Sequence, residues 1–165
     1  MRYRLDVVAP TVVDAVTYAG GWIYDRVMAG WDVSVLVGGA DDIRPLTILG
    51  ADVLDLEGVL EAWRDRPHPQ TIAVAANLID GDPRVLFHVR NALEQGGTEV
   101  TVWGERVPAE LDSSVDSVEH RLSAAARAFK ARALAAAGAP AAVTGCETFR
   151  CGMMVSVAAD LVPAS

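Results

Sequence analysis

With 165 residues, 52% of them hydrophobic, the chain is long enough for one domain with its own core and too apolar for a disordered or low-complexity segment. A formal net charge of −8 excludes a general nucleic-acid binder, which carries a basic footprint, and two cysteines are too few for a disulfide framework. No run of about 18 apolar residues is available to span a membrane and no clean apolar leader follows Met1, so a cytoplasmic location is expected.

Short apolar segments alternate with helix-length ones along the chain. Residues 5–9 read as a first strand, ended by Pro10. Thr11 with Asp14 three residues later reads as a capping box, and Val12, Val13, Val16, Ile23 and Val27 follow at helical spacing up to Gly30. Residues 32–37 are β-branched and read as a second strand, followed by a glycine loop. A short helix capped by Asp42 closes at Gly50, and residues 51–55 give a third strand. After a helix near 57–64, residues 71–76 form a continuous apolar run of the kind buried on both faces of a parallel sheet. Pro83 opens another helix, which ends at Gly96-Gly97 before a fifth strand over 99–103. A long amphipathic helix is predicted over about 115–137, with Val118, Leu122, Ala125, Phe129 and Ala133 as its stripe. The tail over 140–165 carries both cysteines and a sixth candidate strand at 153–158.

Strand, crossover helix, strand at this spacing predicts an α/β class fold. The expectation is an open, mostly parallel Rossmann-like sheet of five or six strands in the order 3-2-1-4-5, with helices on both faces and one domain over 1–165. Ligands of such sheets bind beyond the carboxyl ends of the strands, which makes Thr11, Gly38, Gly39, Asp55 and Asn77 the candidate crevice residues. The junction after the first strand has no glycine, so the dinucleotide fingerprint is absent, as is any phosphate-binding loop. No cofactor is therefore expected. Asp41, Asp42, Asp55, Asp80 and Asp82 all fall near strand ends, but helix caps and a turn account for most of them better than a metal site does. The histidines, His68, His88 and His120, are too scattered to assemble a ligand set.

Three further features invite a role. Cys146 and Cys151 flank four residues and are candidates for a redox pair, with a structural role the more ordinary reading. Arg121, Arg127, Lys130 and Arg132 form the densest basic stretch of an acidic chain, a candidate docking face for a partner. Gly20 and Gly21 interrupt a helix at a cost of about 1 kcal/mol each relative to alanine. They mark close packing or a kink on the bland reading, and a backbone pressed against a ligand on the sharper one.

Gly20-Gly21, the helix after them and the run Gly30-Trp31-Asp32-Val33-Ser34-Val35-Leu36 resemble the first βαβ unit of Rossmann-like proteins, including the amino-terminal halves of two-domain glycosyltransferases. The likeness covers about 30 residues and implies a fold but no activity. A well-formed α/β pattern without a catalytic signature leads to the expectation of a non-catalytic binding module. Its partner would be another protein, a second copy of itself (the alanine-rich stretch at 131–142 permits close helix packing) or a small ligand. The alternative is a small transferase or phosphoryl-transfer enzyme binding a nucleotide or sugar phosphate, with Thr11, Asn77 and Asp55 converging on it. A redox-responsive protein using Cys146 and Cys151 is the third.

Overall fold

The computed structural model describes residues 3–39, 42–66, 68–95, 97–104, 116–140, 142–151 and 161–163. Asp41 and the strand expected at 153–158 lie outside them. Five parallel strands are read correctly from the sequence to within a residue: β1 (Arg4–Val8), β2 (Asp32–Val37), β3 (Asp52–Asp55), β4 (Thr71–Ala75) and β5 (Glu99–Trp103). They lie in the expected order β3-β2-β1-β4-β5. Beyond β5 the sheet continues with β7 (Cys146–Cys151), β6 (Asp116–Arg121) and β8 (Leu161–Pro163), each antiparallel to its neighbour. The result is an eight-stranded, mostly parallel α/β sheet.

Side-chain alternation sends the two faces of each strand into two cores. Leu5, Val7, Val33, Val35, Ala73, Trp103 and Phe149 pack beneath α1 (Val12–Met28), α2 (Arg44–Leu49) and α6 (Ala124–Ala136). Val8, Leu36, Ile72, Val74, Val100 and Val102 pack against the other three helices, α3 (Leu56–Glu61), α4 (Ala76–Gly81) and α5 (Pro83–Gln95). This two-sided demand is why β4 and β5 are buried at every position. The capping chemistry follows the sequence as well. Thr11 accepts from the Asp14 amide at 3.0 Å, and Gly50 ends α2 with a φ of 85°.

The long helix expected over 115–137 is a correction. Residues Asp116–Arg121 are a strand, and the helix begins only after Ser123, whose hydroxyl accepts from the Ala126 amide at 3.0 Å. Val118 and Leu122 fit a helical stripe by spacing, yet residues 116–121 find backbone partners along the whole of β7. Paired edges outweigh a weak periodicity. The segment expected as a cysteine-bearing tail supplies β7 itself.

Candidate active-site groove

At the carboxyl ends of the parallel strands lies a cavity of about 300 Å³, lined by Asp14 and Tyr18 of α1, Ala75 at the end of β4, Ala76, Asn77 and Asp80 of α4, and Trp103 and Gly104 at the end of β5. Each wall has a local cause. Thr11 caps α1 so that Asp14 falls in its first turn, over the sheet edge. α4 starts directly from the last residue of β4, which places Asn77 and Asp80 on the opposite lip. Gly104 turns the chain away from β5 at a φ of 129°, and a Cβ there would come within 3.1 Å of the Ala76 Cβ.

Asp14 is the chemically distinctive group of this cavity. It is half-buried, and the indole N–H of the buried Trp103 donates to its Oδ2 at 3.1 Å. Burial pushes its carboxyl above the ordinary 3.8, opposed by the bond from Trp103. Asp80 brings a second carboxylate to the cavity, and no lysine or arginine is among its lining residues.

A second cavity of about 360 Å³ adjoins the first, sharing Tyr18 and Gly104 with it. It exists because β5 and β7 pair at only two described positions, Thr101 with Cys151 and Val102 with Arg150, and part beyond them. Thr17, Val102, Lys130, Thr144 and residues 146–150 line the opening.

Between the groove and the helices sits a buried ion pair. The Lys130 ammonium donates to Glu147 Oε2 at 2.7 Å and to the Thr17 carbonyl at 2.8 Å. Glu147 in turn accepts from the amides of Gly21 at 2.8 Å and Trp22 at 2.7 Å. In an undisturbed helix the Gly21 amide bonds the Thr17 carbonyl. Here the carboxylate accepts from that amide and the ammonium donates to that carbonyl, so the pair engages both ends of one turn of α1. Burial pushes the Glu147 carboxyl up, against the pull of Lys130 and the two amides.

The residues predicted for the crevice separate. Asn77 lines the groove. Thr11 and Asp55 cap α1 and α3 through their side chains, while Gly38 and Gly39 lie exposed in the loop after β2. The cavity is displaced by one strand from the β1–β4 junction, because Thr11 and the buried Val12 occupy the end of β1. Asp14 and Trp103 were missed. Asp14 was read only as half of a capping box, and only pairing between β4 and β5 reveals that Trp103 faces it.

Other expectations change with the structure. Lys130 is 3% exposed and belongs to the ion pair, so it is no part of a docking face. Arg121 lies on β6 and not on the helix that carries Arg127 and Arg132, so the basic stretch is divided between two elements. Cys146 and Cys151 occupy the two ends of β7. Five steps along the strand separate them by roughly 16 Å and turn them to opposite faces, so they cannot form a disulfide with each other. The redox-pair reading falls with that geometry. Gly21 owes its place to packing, since a Cβ on it would meet Leu122 Cγ at 2.2 Å, and its buried amide donates to Glu147.

No family model matches the chain, and no curated protein sequence matches it. Solved structures match by fold. The A40926 pseudoaglycone deacetylase Dbv21 has a TM-score of 0.60 at 16% identity, over 100% of this chain and 99% of that one. A deacetylase–teicoplanin complex from teicoplanin biosynthesis has a TM-score of 0.60 at 13% identity, over 93% of this chain and 100% of that one. The zinc-inhibited form of teicoplanin deacetylase Orf2 has a TM-score of 0.56 at 14% identity, over 80% and 82%.

At these identities the likeness is one of fold. It still corrects the expectation of a non-catalytic module, which rested on the idea that this α/β pattern without a familiar signature is inert. The same architecture is that of enzymes in each of these structures, and nothing in them supports an emphasis on protein interaction. Zinc belongs to one of those descriptions. Among the described residues here, no group of three or more His, Cys, Asp or Glu side chains is placed to hold a metal ion. The described residues of the groove therefore do not by themselves fit such a centre. Nor is any described helix long and apolar enough to cross a membrane.

Proposed function

We propose that this chain is a hydrolase of the deacetylase kind, removing an acyl group from the amine of a small glycosidic substrate in the groove at the strand ends. The observation that carries the reading is Asp14, a half-buried carboxylate held by the Trp103 indole in an opening at the carboxyl ends of the parallel strands. Its ionised form takes a proton from water as that water attacks the acyl carbon, and a positioned base of raised pKa suits this step. The Asn77 carboxamide supplies an N–H donor for the oxygen that becomes negative. The proton held by Asp14 passes to the amide nitrogen as the bond between it and the acyl carbon breaks, and the Asp80 carboxylate stabilises the ammonium that is released. Two carboxylates without a cation repel phosphate, so this half of the groove favours the acyl-transfer reading over the phosphoryl-transfer one.

The test is release of free amine from N-acetylglucosamine glycosides, followed with an amine-reactive fluorophore. Asp14→Asn is expected to lower kcat/KM by about 100-fold or more, the usual contribution of a general base. Because the working form is the carboxylate and burial raises its pKa, the rate climbs with pH along a limb lying above 3.8. Trp103→Phe removes the bond that opposes that rise, and so moves the limb to higher pH. An Asp14→Asn protein as active as the original rules the reading out.

A further inference from the structure

The groove is electrically lopsided. One half holds the carboxylates of Asp14 and Asp80 and no cation. The other is lined by three charged residues, Lys130, Glu147 and Arg150, the last on the face of β7 opposite to that of Glu147. Lys130 and Glu147 neutralise each other at 2.7 Å and are 4% or less exposed. What remains is Arg150, which is exposed on β7 and has no ion pair among the described residues. Its neighbours on the same face of β6 are Ser117 directly opposite, Glu119 opposite Thr148, and Arg121 opposite Cys146. The Glu119 carboxylate forms no ion pair with it. Thr144 and Thr148 line the same half, the Thr144 hydroxyl donating to the Cys146 carbonyl at 2.8 Å, and Tyr18 and Gly104 join this half to the first.

From this we infer that the second half of the groove is an anion subsite built on Arg150, and that the natural substrate is an N-acyl amine whose far end carries a carboxylate. The acyl end of that statement rests on the hydrolase reading; the anion subsite does not. One unpaired guanidinium matches a single negative charge, with a planar donor fork that suits a carboxylate. A phosphate dianion would bring a second charge towards Glu147, Asp14 and Asp80 in a chain of net charge −8. Each cavity alone is at the low end of the roughly 300–1,000 Å³ range of small-molecule sites, and a ligand spanning both is of disaccharide or substituted-sugar size.

Titration calorimetry with three probes tests the subsite: N-acetylmuramic acid, which carries a lactyl carboxylate, N-acetylglucosamine, which is neutral, and N-acetylglucosamine 6-phosphate. The original protein is expected to bind the carboxylate probe about tenfold or more tighter than the neutral one, the range for a charge-assisted bond. In Arg150→Gln that ratio collapses towards one, and in Arg150→Lys part of it returns. No preference in the original protein, a preference retained in Arg150→Gln, or an Arg150-dependent preference for the phosphate over the carboxylate each overturns the inference. These titrations read binding and not turnover. Carboxylate preference in a protein that releases no amine refutes the hydrolase reading and leaves the subsite standing, and amine release without that preference does the reverse.

Discussion

Gly20 and Gly21 look interchangeable in the sequence and differ in what surrounds them. Alanine is the better helix former by about 1 kcal/mol, so propensity alone favours both replacements. A Cβ at position 20 would meet Lys130 Cγ and Val16 Cγ1 at 3.3 Å, a contact that small adjustments relieve. At position 21 it would meet Leu122 Cγ at 2.2 Å and Cδ2 at 2.3 Å, and Leu122 is itself buried. Gly20→Ala is therefore expected to leave stability within about 1 kcal/mol of the original. Gly21→Ala should lose about 1–3 kcal/mol by overpacking. Urea unfolding of the two variants decides it, and Leu122→Ala in the Gly21→Ala background should recover part of the loss. Equal stability of the two alanine variants would mean that Leu122 has room to move.

At the scale of elements, the Lys130–Glu147 pair ties α6 and β7 to the turn of α1 that follows Asp14. Three buried donors converge on one carboxylate: the Lys130 ammonium and the amides of Gly21 and Trp22. Removing one charge of such a pair strands the other, at a cost of about 3–5 kcal/mol. Lys130→Met and Glu147→Gln are each expected to lose that order of stability in urea. The double variant should lose clearly less than their sum, since neither charge is then stranded. Strict additivity would show that the two groups are independent.

None of this pairing was legible in the sequence, where Lys130 reads as one more basic residue and Glu147 as nothing in particular. The parallel half of the sheet was legible because each of its strands must satisfy two cores, leaving unbroken apolar runs such as the one over β4. The antiparallel half alternates instead, with Glu147, Phe149 and Cys151 buried and Thr148 and Arg150 exposed along β7. β6 was lost for a related reason: Val118 and Leu122 satisfy a helical spacing by accident, and Ser123 marks a helix start only once β7 is known to pair with the residues before it. Of the groove, the sequence reached Asn77 and missed Asp14, Trp103 and Arg150, which face it through pairing across the sheet and not through any local motif.

For the whole molecule the acidic balance and the buried carboxylates act on stability together. Asp6, Asp14 and Glu147 have their pKa values raised by burial, against the pull of Arg66, Trp103 and Lys130 respectively. A raised acid binds its proton more tightly in the folded chain, so stability falls as pH rises from the ordinary value, 3.8 for Asp and 4.5 for Glu, through the folded one. The surface acids Asp42, Glu57 and Asp82 are lowered by their arginine partners and act in the opposite sense below those values, and solvent screening keeps their share small. His88 also opposes the trend, because burial lowers its pKa and stability then rises with pH up to about 6.5. The contribution of Glu147 is isolated by comparing the urea midpoint against pH in the original chain and in Glu147→Gln, since His88 and the surface acids are common to both. Above pH 4.5 the original chain should lose stability with rising pH more steeply than the variant, up to the raised pKa of Glu147, beyond which the two curves run parallel. Parallel curves throughout would mean that Lys130 and the two helix amides hold the Glu147 charge as well as water does, and that its burial costs the fold nothing.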